Sequence, residues 1–189
     1  QYVIGVFMLL FGINFNLYYL ILIKRCRSVY RNEELRTYLI IVAAAVLLIT
    51  INIASSYESV SEAIRMSFFQ VASIITTTGY STTNFDLWPQ FSKTILVLLM
   101  FIGACASSTG GGIKVSRIIL LFRTVKHGIS RMLHPRAINS VHLEGRAVSA
   151  QVIHETSVYI ICYAFLFAIS VLLVSIDGED AETTFTSVA

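Results

Sequence analysis

A threonine-rich run that ends in Gly-Tyr-Ser, Thr76–Ser81, is the segment of this sequence best suited to chemistry with a cation. Extended Thr and Gly residues can direct backbone carbonyl oxygens and threonine hydroxyls at an ion and replace its water shell. Gly79 suits this role because a backbone that turns its carbonyl inward adopts conformations that a Cβ atom obstructs. Thr-rich turns with a glycine also occur in ordinary loops, so the surrounding elements must decide between the two interpretations.

A second unusual segment is the Gly-rich run Gly103–Gly112. Each glycine costs a helix about 1 kcal/mol relative to alanine, so three in succession will not hold a straight helix. We therefore predict a flexible loop that opens or blocks a path. Its predicted gating residues are Gly103, Ser107, Ser108, Thr109, Gly110, Gly111, Gly112 and Lys114. The alternative is a helix-packing surface, although such surfaces space their small residues, and Lys114 either snorkels to the interface or acts electrostatically.

The composition assigns the chain to the membrane. Hydrophobic residues make up 56% and charged residues 13%, whereas soluble domains carry about 25% charged residues. The mean hydropathy is +0.74, and a soluble helical protein with an unusually large core is the weaker alternative. A spanning helix needs roughly 20 apolar residues. The uncharged candidates are Tyr2–Ile23, Thr37–Ala54 and Val158–Ile176, and Phe91–Phe122 is apolar but interrupted.

The positions of the charges orient these helices. All but two of the 14 Lys and Arg residues lie in Lys24–Arg36 and Lys114–Arg146, which the positive-inside rule places in the cytoplasm. The first helix therefore runs inward, the second outward, the interrupted one inward and the last outward. Because topology explains the cations, the net charge of +3 is not interpreted as a sign of nucleic-acid binding.

The segment between the second and the interrupted helix must enter and leave the membrane from the outer side. Ser59–Ile75 is shorter and more polar than a full span, so we predict a pore helix whose partly negative C-terminus points at Thr76–Ser81. Non-helical backbone is tolerated at that depth beside a cation pathway. The predicted ion ligands are Thr77, Thr78, Gly79 and Tyr80, flanked by Thr76 and Ser81. Trp88-Pro89 fits a helix start at the membrane–water boundary.

These residues resemble the filter of potassium channels. Thr77–Ser81 matches the channel sequence Thr-Val-Gly-Tyr-Gly at three of five positions. The departure is Ser81, where the channels have their second glycine. It suggests a less regular or less selective filter.

With the ending Ser-Thr-Gly-Gly-Gly-Ile-Lys and the upstream Gly-Ile-Asn-Phe-Asn-Leu-Tyr-Tyr, nearly the whole chain resembles the Trk/Ktr/HKT potassium transporter superfamily, most of all its bacterial TrkH-type membrane subunit. The resemblance implies an all-α integral membrane fold of helix–pore-helix–helix repeats around one pseudo-fourfold pore. One complete repeat and parts of two others are expected. The implied plan is a closing helix of the preceding repeat (1–23), a cytoplasmic loop (24–36), a complete repeat (37–125), a cytoplasmic segment (126–150), the first helix of the next repeat (151–176) and the start of its pore helix (177–189). Within the complete repeat it assigns an outward helix (37–54), a pore helix (59–75), a filter (76–81) and a broken inward helix (89–125) with an intramembrane loop (103–112).

The same resemblance implies potassium uptake across the bacterial inner membrane through a carbonyl-lined filter, gated by the Gly-rich loop. Potassium is the implied ion, and no organic cofactor is expected. The implied partners are membrane lipid, a second copy of the protein, and cytosolic nucleotide-binding regulatory subunits at the basic loops, but no nucleic acid. In this superfamily a filter glycine goes with potassium and a serine with sodium, a contrast best known for the first repeat, so Gly79 alone does not settle the ion.

Other functions stay open at this point. One is a sodium-permeable or non-selective transporter of the same superfamily, and another is a small homotetrameric cation channel, which would need a simple two-helix unit. A membrane enzyme that uses His154 and Glu155 predicts further acids or histidines in the spans. Thr37–Ala54 and Val158–Ile176 contain none, so we do not expect an enzyme.

The remaining polar residues at membrane depth are expected to have structural roles. Asn14, Asn16 and Asn52 should bond between helices, and Cys26, Cys105 and Cys162 have neither disulfide nor zinc spacing. The chain begins inside an apolar run without a methionine and ends in what reads as a new element. We therefore expect part of a longer polypeptide, whose single filter strand would not conduct alone.

Overall fold

The computed structural model describes residues 1–134, 141–178 and 180–189, and these residues are mostly helical. The helices are α1 (Tyr2–Phe11), α2 (Phe15–Leu22), α3 (Cys26–Tyr30), α4 (Glu33–Ile53), α5 (Val60–Ile75), α6 (Gln90–Ile102), α7 (Val115–Leu133), α8 (Ala150–Val174) and α9 (Ala181–Val188). Short 3-10 turns cover Ala54–Ser56, Phe85–Leu87 and Ser175–Asp177. The chain divides into two compact units, Gln1–Ser116 and Arg117–Ala189.

Helix α4 is the long apolar helix of the first unit. The Asn32 side chain caps its start by accepting from the Leu35 amide at 2.7 Å. With the 3-10 turn the helix reaches 24 residues, and its most apolar 18-residue stretch has a mean hydropathy of 2.4. Its buried residues recur at helical spacing, from Tyr38 through Ala45 to Ile53, so one face packs inward and the rest stays apolar and exposed. By length and composition this helix can cross a membrane.

The first predicted span, Tyr2–Ile23, differs from the single continuous helix expected from its sequence. Helices α1 and α2 meet at an angle of 92° across the break at Gly12–Asn14. The Asn14 side chain accepts from the Asn16 amide at 2.9 Å and starts α2 as an N-cap, which satisfies one of the donors left free at a helix start. A local cap thus interrupts a run that is apolar enough to continue.

Helix α5 is the half-length helix that carries the candidate filter strand. Ser59 caps it by accepting from the Ser61 amide at 3.1 Å, and every residue from Phe69 to Ile75 is buried. Met8 of α1 packs against Phe69 and Ala72 in a small apolar core. The helix is thereby enclosed by protein along its second half, where it approaches the strand.

Two polar contacts hold α5 and α6 against α4. The hydroxyls of Thr50 and Ser67 lie 2.6 Å apart in the interior, and Ser92 donates to the Asn52 side chain at 2.7 Å. Buried polar groups require such partners because an unpaired one is costly in an apolar surrounding. The predicted interhelical role of Asn52 is confirmed by its bond to Ser92.

In the second unit, α8 is the long apolar helix. With its terminal 3-10 turn it spans Ala150–Asp177. Its most apolar 18-residue stretch has a mean hydropathy of 2.5, and no residue of that stretch is buried. Helix α7 continues to Leu133, beyond the end near residue 125 expected from the sequence, and the cytoplasmic segment predicted at 126–150 includes an antiparallel hairpin, β1 (His142–Leu143) with β2 (Arg146–Ala147). Residues 135–140 of that segment lie outside the described residues.

Candidate ion-conducting site

The Thr76–Ser81 strand begins where α5 ends and stays bonded to that helix. The Thr78 amide donates to the Ser73 carbonyl at 2.9 Å, and the Gly79 amide donates to the same oxygen at 3.4 Å. Two successive amides of the strand are therefore directed at the end of α5, where the helix dipole is negative. This end is electrostatically suited to a cation.

Two alternate residues of the strand have left-handed backbone. The φ angles of Thr77 and Gly79 are +53° and +81°, whereas that of Thr76 is −91°. Such a conformation costs an ordinary L residue about 1–2 kcal/mol, and glycine adopts it freely. No atom lies within 4 Å of a Cβ built on Gly79, so the backbone angle, and not space, requires glycine there.

Threonine hydroxyls form a second set of oxygens on the strand. Thr76 Oγ1 donates to the Ala72 carbonyl at 2.7 Å and lies 2.8 Å from Thr78 Oγ1. Because a hydroxyl has one proton, Thr78 is then the donor to Thr76. Thr76 is buried, whereas residues 77–81 are exposed, so this strand offers an ion one side of a coordination shell.

Tyr57 fastens the turn that follows the strand. Trp88 Nε1 donates to the Tyr57 hydroxyl at 3.0 Å, and the Thr83 hydroxyl lies 3.4 Å from the same oxygen. Ser81 Oγ donates to the Thr83 carbonyl at 2.6 Å. Trp88 is 5% exposed, so the indole packs inside this unit while its N–H is satisfied.

The Gly103–Gly112 loop is closed at its base by its own backbone. The amides of Lys114 and Val115 donate to the carbonyls of Ile102 and Ala104, both at 3.0 Å. The chain therefore leaves α6, makes an excursion and returns beside its starting point before α7 begins. This is the interruption that the glycine content predicts.

Glycine is required where the two ends of the loop meet. A Cβ on Gly112 would lie 2.8 Å from Gly103 Cα and 3.0 Å from its nitrogen, and a Cβ on Gly103 would collide with the Gly111 carbonyl. Both end residues also have positive φ, +68° at Gly103 and +77° at Gly112. Side chains at these positions are incompatible with this loop conformation.

The tip of the loop lies against the inner end of the strand. The Gly111 amide donates to Thr77 Oγ1 at 2.8 Å, and a Cβ on Gly110 would lie 3.3 Å from the Thr76 carbonyl oxygen. The loop thus contacts a hydroxyl that the sequence predicts as an ion ligand. The structure brings the two predicted sites together.

The loop also bonds to the break between α1 and α2. These backbone bonds run from Cys105 N to Gly12 O at 3.0 Å, from Phe15 N to Ser107 O at 3.1 Å and from Thr109 N to Phe11 O at 3.4 Å. The break exposes amides and carbonyls that a continuous helix would use internally, and the loop supplies their partners. The sequence analysis did not predict these bonds between the loop and the break. The feature that could have indicated the break is Gly12 followed closely by the capping residue Asn14.

Lys114 is turned back onto the loop. Its ammonium group donates to the Gly110 carbonyl, and its own φ is +81°. Neither sequence-based role for this lysine, snorkelling or an electrostatic effect near the pore, includes this bond.

A cavity of about 350 Å³ adjoins both the strand and the loop. Its polar lining consists of Thr76, Thr78 and Thr109, and the rest is the apolar face of α1: Val3, Ile4, Phe7, Met8 and Phe11. Helix α1 therefore forms an apolar wall beside the threonine oxygens.

Comparison with known proteins shows the family to which this chain belongs. Residues 1–188 match the sequence model of the TrkH family, described as a cation transport protein. The chain belongs to the TrkH family. Its described residues include two helices that are long and apolar enough to cross a membrane, as expected for a multi-pass membrane protein of a family described as a cation transport protein.

Individual TrkH relatives cover the same region. The chain is 35% identical over 189 residues to the Trk system potassium uptake protein TrkH of Escherichia coli K12, and 34% identical to that of Salmonella typhimurium; each alignment covers 98% of this chain and 39% of the relative. The crystal structure of the potassium transporter TrkH from Vibrio parahaemolyticus superposes with a TM-score of 0.88 at 32% identity, covering 96% of this chain and 40% of that one. The predicted all-α membrane fold is confirmed, and the chain spans about two fifths of these relatives.

His154 and Glu155, the residues of the enzyme alternative, lie near the start of α8. Glu155 accepts from the Gln151 side chain at 2.9 Å, one helical turn away. Among the described residues there is no group of three His, Cys, Asp or Glu side chains arranged to hold a metal.

Proposed function

We infer that the complete gene product containing this chain takes up potassium through a filter in which Thr77, Thr78, Gly79 and Tyr80 supply one quarter of the coordination. The observation that carries this is the strand itself, with positive φ at Thr77 and Gly79 and amides bonded to the end of a half-length helix. Backbone oxygens in such a strand can replace the water shell of a potassium ion. Relatives named as potassium uptake proteins support the choice of ion.

The Gly103–Gly112 loop acts as the gate in this proposal. Its tip bonds to the inner end of the strand through Gly111 and Thr77, so an ion leaving the filter inward meets the loop first. Opening requires the loop to give up that bond and those to the α1–α2 break. Lys114, bonded to Gly110, moves with the loop.

A sodium-permeable or less selective transporter is the second candidate, and Ser81 favours it. Potassium-channel filters have glycine at the corresponding position, whereas the hydroxyl of Ser81 is used in a bond to the Thr83 carbonyl. A filter that is less regular at its outer end discriminates less sharply between ions.

The proposed partners follow from the family. Relatives are named as parts of a Trk system, which supports association with further subunits. We propose that these are cytosolic nucleotide-binding subunits that bind at the basic segments, and that two copies of the protein pair in the lipid bilayer. Pull-down of such subunits by the complete gene product, with and without charge reversal in Lys24–Arg36, tests the first of these.

Rubidium uptake tests the filter assignment. Wild type and Gly79→Ser are compared in cells without their own potassium systems, at equal membrane abundance. Because φ is +81° at Gly79, serine strains the strand by about 1–2 kcal/mol, and we expect uptake to collapse or sodium to begin to compete. Unchanged uptake and selectivity would move residues 76–81 into an ordinary outer loop.

A further inference from the structure

Glu34, in the first turn of α4, is the one buried charged side chain among the described residues, with 6% of its surface exposed. A carboxylate removed from water is costly unless hydrogen-bond donors replace the water. Its own helix does not need it as a cap, because Asn32 already accepts from the Leu35 amide. The burial of Glu34 therefore has to be explained by what it binds.

Glu34 binds three donors from distant parts of the chain. Its Oε1 atom accepts from the Ala106 amide at 2.6 Å and from the Ser116 amide at 3.2 Å. Its Oε2 atom accepts from Asn14 Nδ2 at 3.5 Å. We call Glu34 with these three donors the Glu34 clasp.

The clasp brackets the gating segment. Ala106 lies within the Gly103–Gly112 loop and Ser116 lies in the first turn of α7, so one oxygen atom fixes both sides of the stretch between them. The first turn of α7 has no acid of its own, and an anion there complements the exposed amides and the helix dipole. Through Asn14, the clasp also binds the break between α1 and α2. The backbone of this break is hydrogen-bonded to the loop as well.

We propose that Glu34 is a positioning residue that holds the Gly103–Gly112 loop against the filter strand. A charged acceptor forms stronger bonds to amides than a neutral one does, so the carboxylate favours this loop position over any that withdraws the Ala106 amide. The role of the clasp as part of a gate rests on the proposed function. The role of the clasp in holding the loop in place does not depend on whether the loop is a gate.

Cys105 provides a readout of loop position that does not depend on transport. It precedes Ala106, and its side chain is completely buried. Its labelling by a small thiol reagent is measured in the complete gene product after the other cysteines are replaced by serine, including the exposed Cys26 and Cys162. The variants are Glu34→Gln, which keeps the volume and one acceptor oxygen, and Glu34→Ala, which removes all three bonds.

We expect the labelling rate to rise at least about tenfold in Glu34→Ala, since the loss of one charged hydrogen bond alone has about that effect, and to rise less in Glu34→Gln. Glu33→Gln, the matched control, removes the same charge one residue away and should label like wild type. If Glu34→Ala does not reach the membrane, the labelling rate of Glu34→Gln alone tests the proposal. A wild-type labelling rate in the folded variants overturns the clasp.

Rubidium uptake by the same variants distinguishes the role of Glu34 in holding the loop from the role of the loop as a gate. Faster labelling with a higher basal uptake supports both. Faster labelling with unchanged uptake supports the clasp and contradicts the loop as gate. Altered uptake without a change in labelling overturns the clasp, because Glu34 would then act by another route.

Discussion

Replacing Gly112 with alanine perturbs the Gly103–Gly112 loop at the point where its ends touch. The new Cβ would lie 2.8 Å from Gly103 Cα and 3.0 Å from the Gly103 nitrogen, both backbone atoms. The residue would also have to adopt a φ of +77°, which costs an L residue about 1–2 kcal/mol. Since both costs apply to this loop conformation in particular, the substitution favours conformations in which the ends have separated.

The expected shift follows from the strain. A cost of 1–2 kcal/mol changes a two-state ratio by roughly 5- to 30-fold, and the contact with Gly103 adds to it. We therefore expect the basal rubidium uptake of liposomes containing the complete gene product to rise by about an order of magnitude for Gly112→Ala. The assay compares initial rates at equal protein content.

Gly128→Ala is the matched control for this experiment. Gly128 lies inside α7, and no atom lies within 4 Å of a Cβ built on it. Alanine is favoured over glycine in a helix by about 1 kcal/mol, so this variant should be neutral or slightly more stable. Equal uptake by wild type, Gly128→Ala and a correctly folded Gly112→Ala would refute the idea that this loop conformation restricts the ion path.

Two further predictions concern the ends of the strand. Thr77→Val removes a candidate ligand oxygen, and this loss should outweigh the release of the Gly111 amide, whose hydrogen bond the same oxygen accepts. We therefore expect rubidium uptake to fall at least about tenfold. Thr77→Ser keeps the hydroxyl and should retain most of the uptake, and equal rates for the two variants would contradict a role for that oxygen. Trp88→Phe removes the donor to Tyr57 and should lower the free energy of unfolding by about 1 kcal/mol, seen as a lower melting temperature in detergent with uptake preserved. Unchanged melting would show that this bond does not fasten the outer turn.

The spans and the half-length helix followed from elementary patterns. Charge-free apolar length indicated α4 and α8, and the more polar stretch ahead of Thr76 indicated α5. Three glycines in succession indicated the interruption between α6 and α7. Each of these is a local property of the sequence, set by backbone entropy or by the cost of burying charge.

The contacts missed by sequence reasoning are those that depend on distant partners. Tyr2–Ile23 is apolar enough to continue as one helix, and its break at Gly12–Asn14 is stabilised by the loop almost a hundred residues later. Glu34 sits in a basic segment where a charged side chain is normally solvated. Only the approach of the Ala106 and Ser116 amides explains its burial.

The most direct test of the ion path is anomalous diffraction from crystals of the complete gene product grown with rubidium in place of potassium. We predict rubidium peaks beside the carbonyl oxygens of Thr77, Thr78 and Gly79, on the side of the strand away from α5. Peaks confined to other parts of the protein, with the strand well ordered and empty, would contradict it.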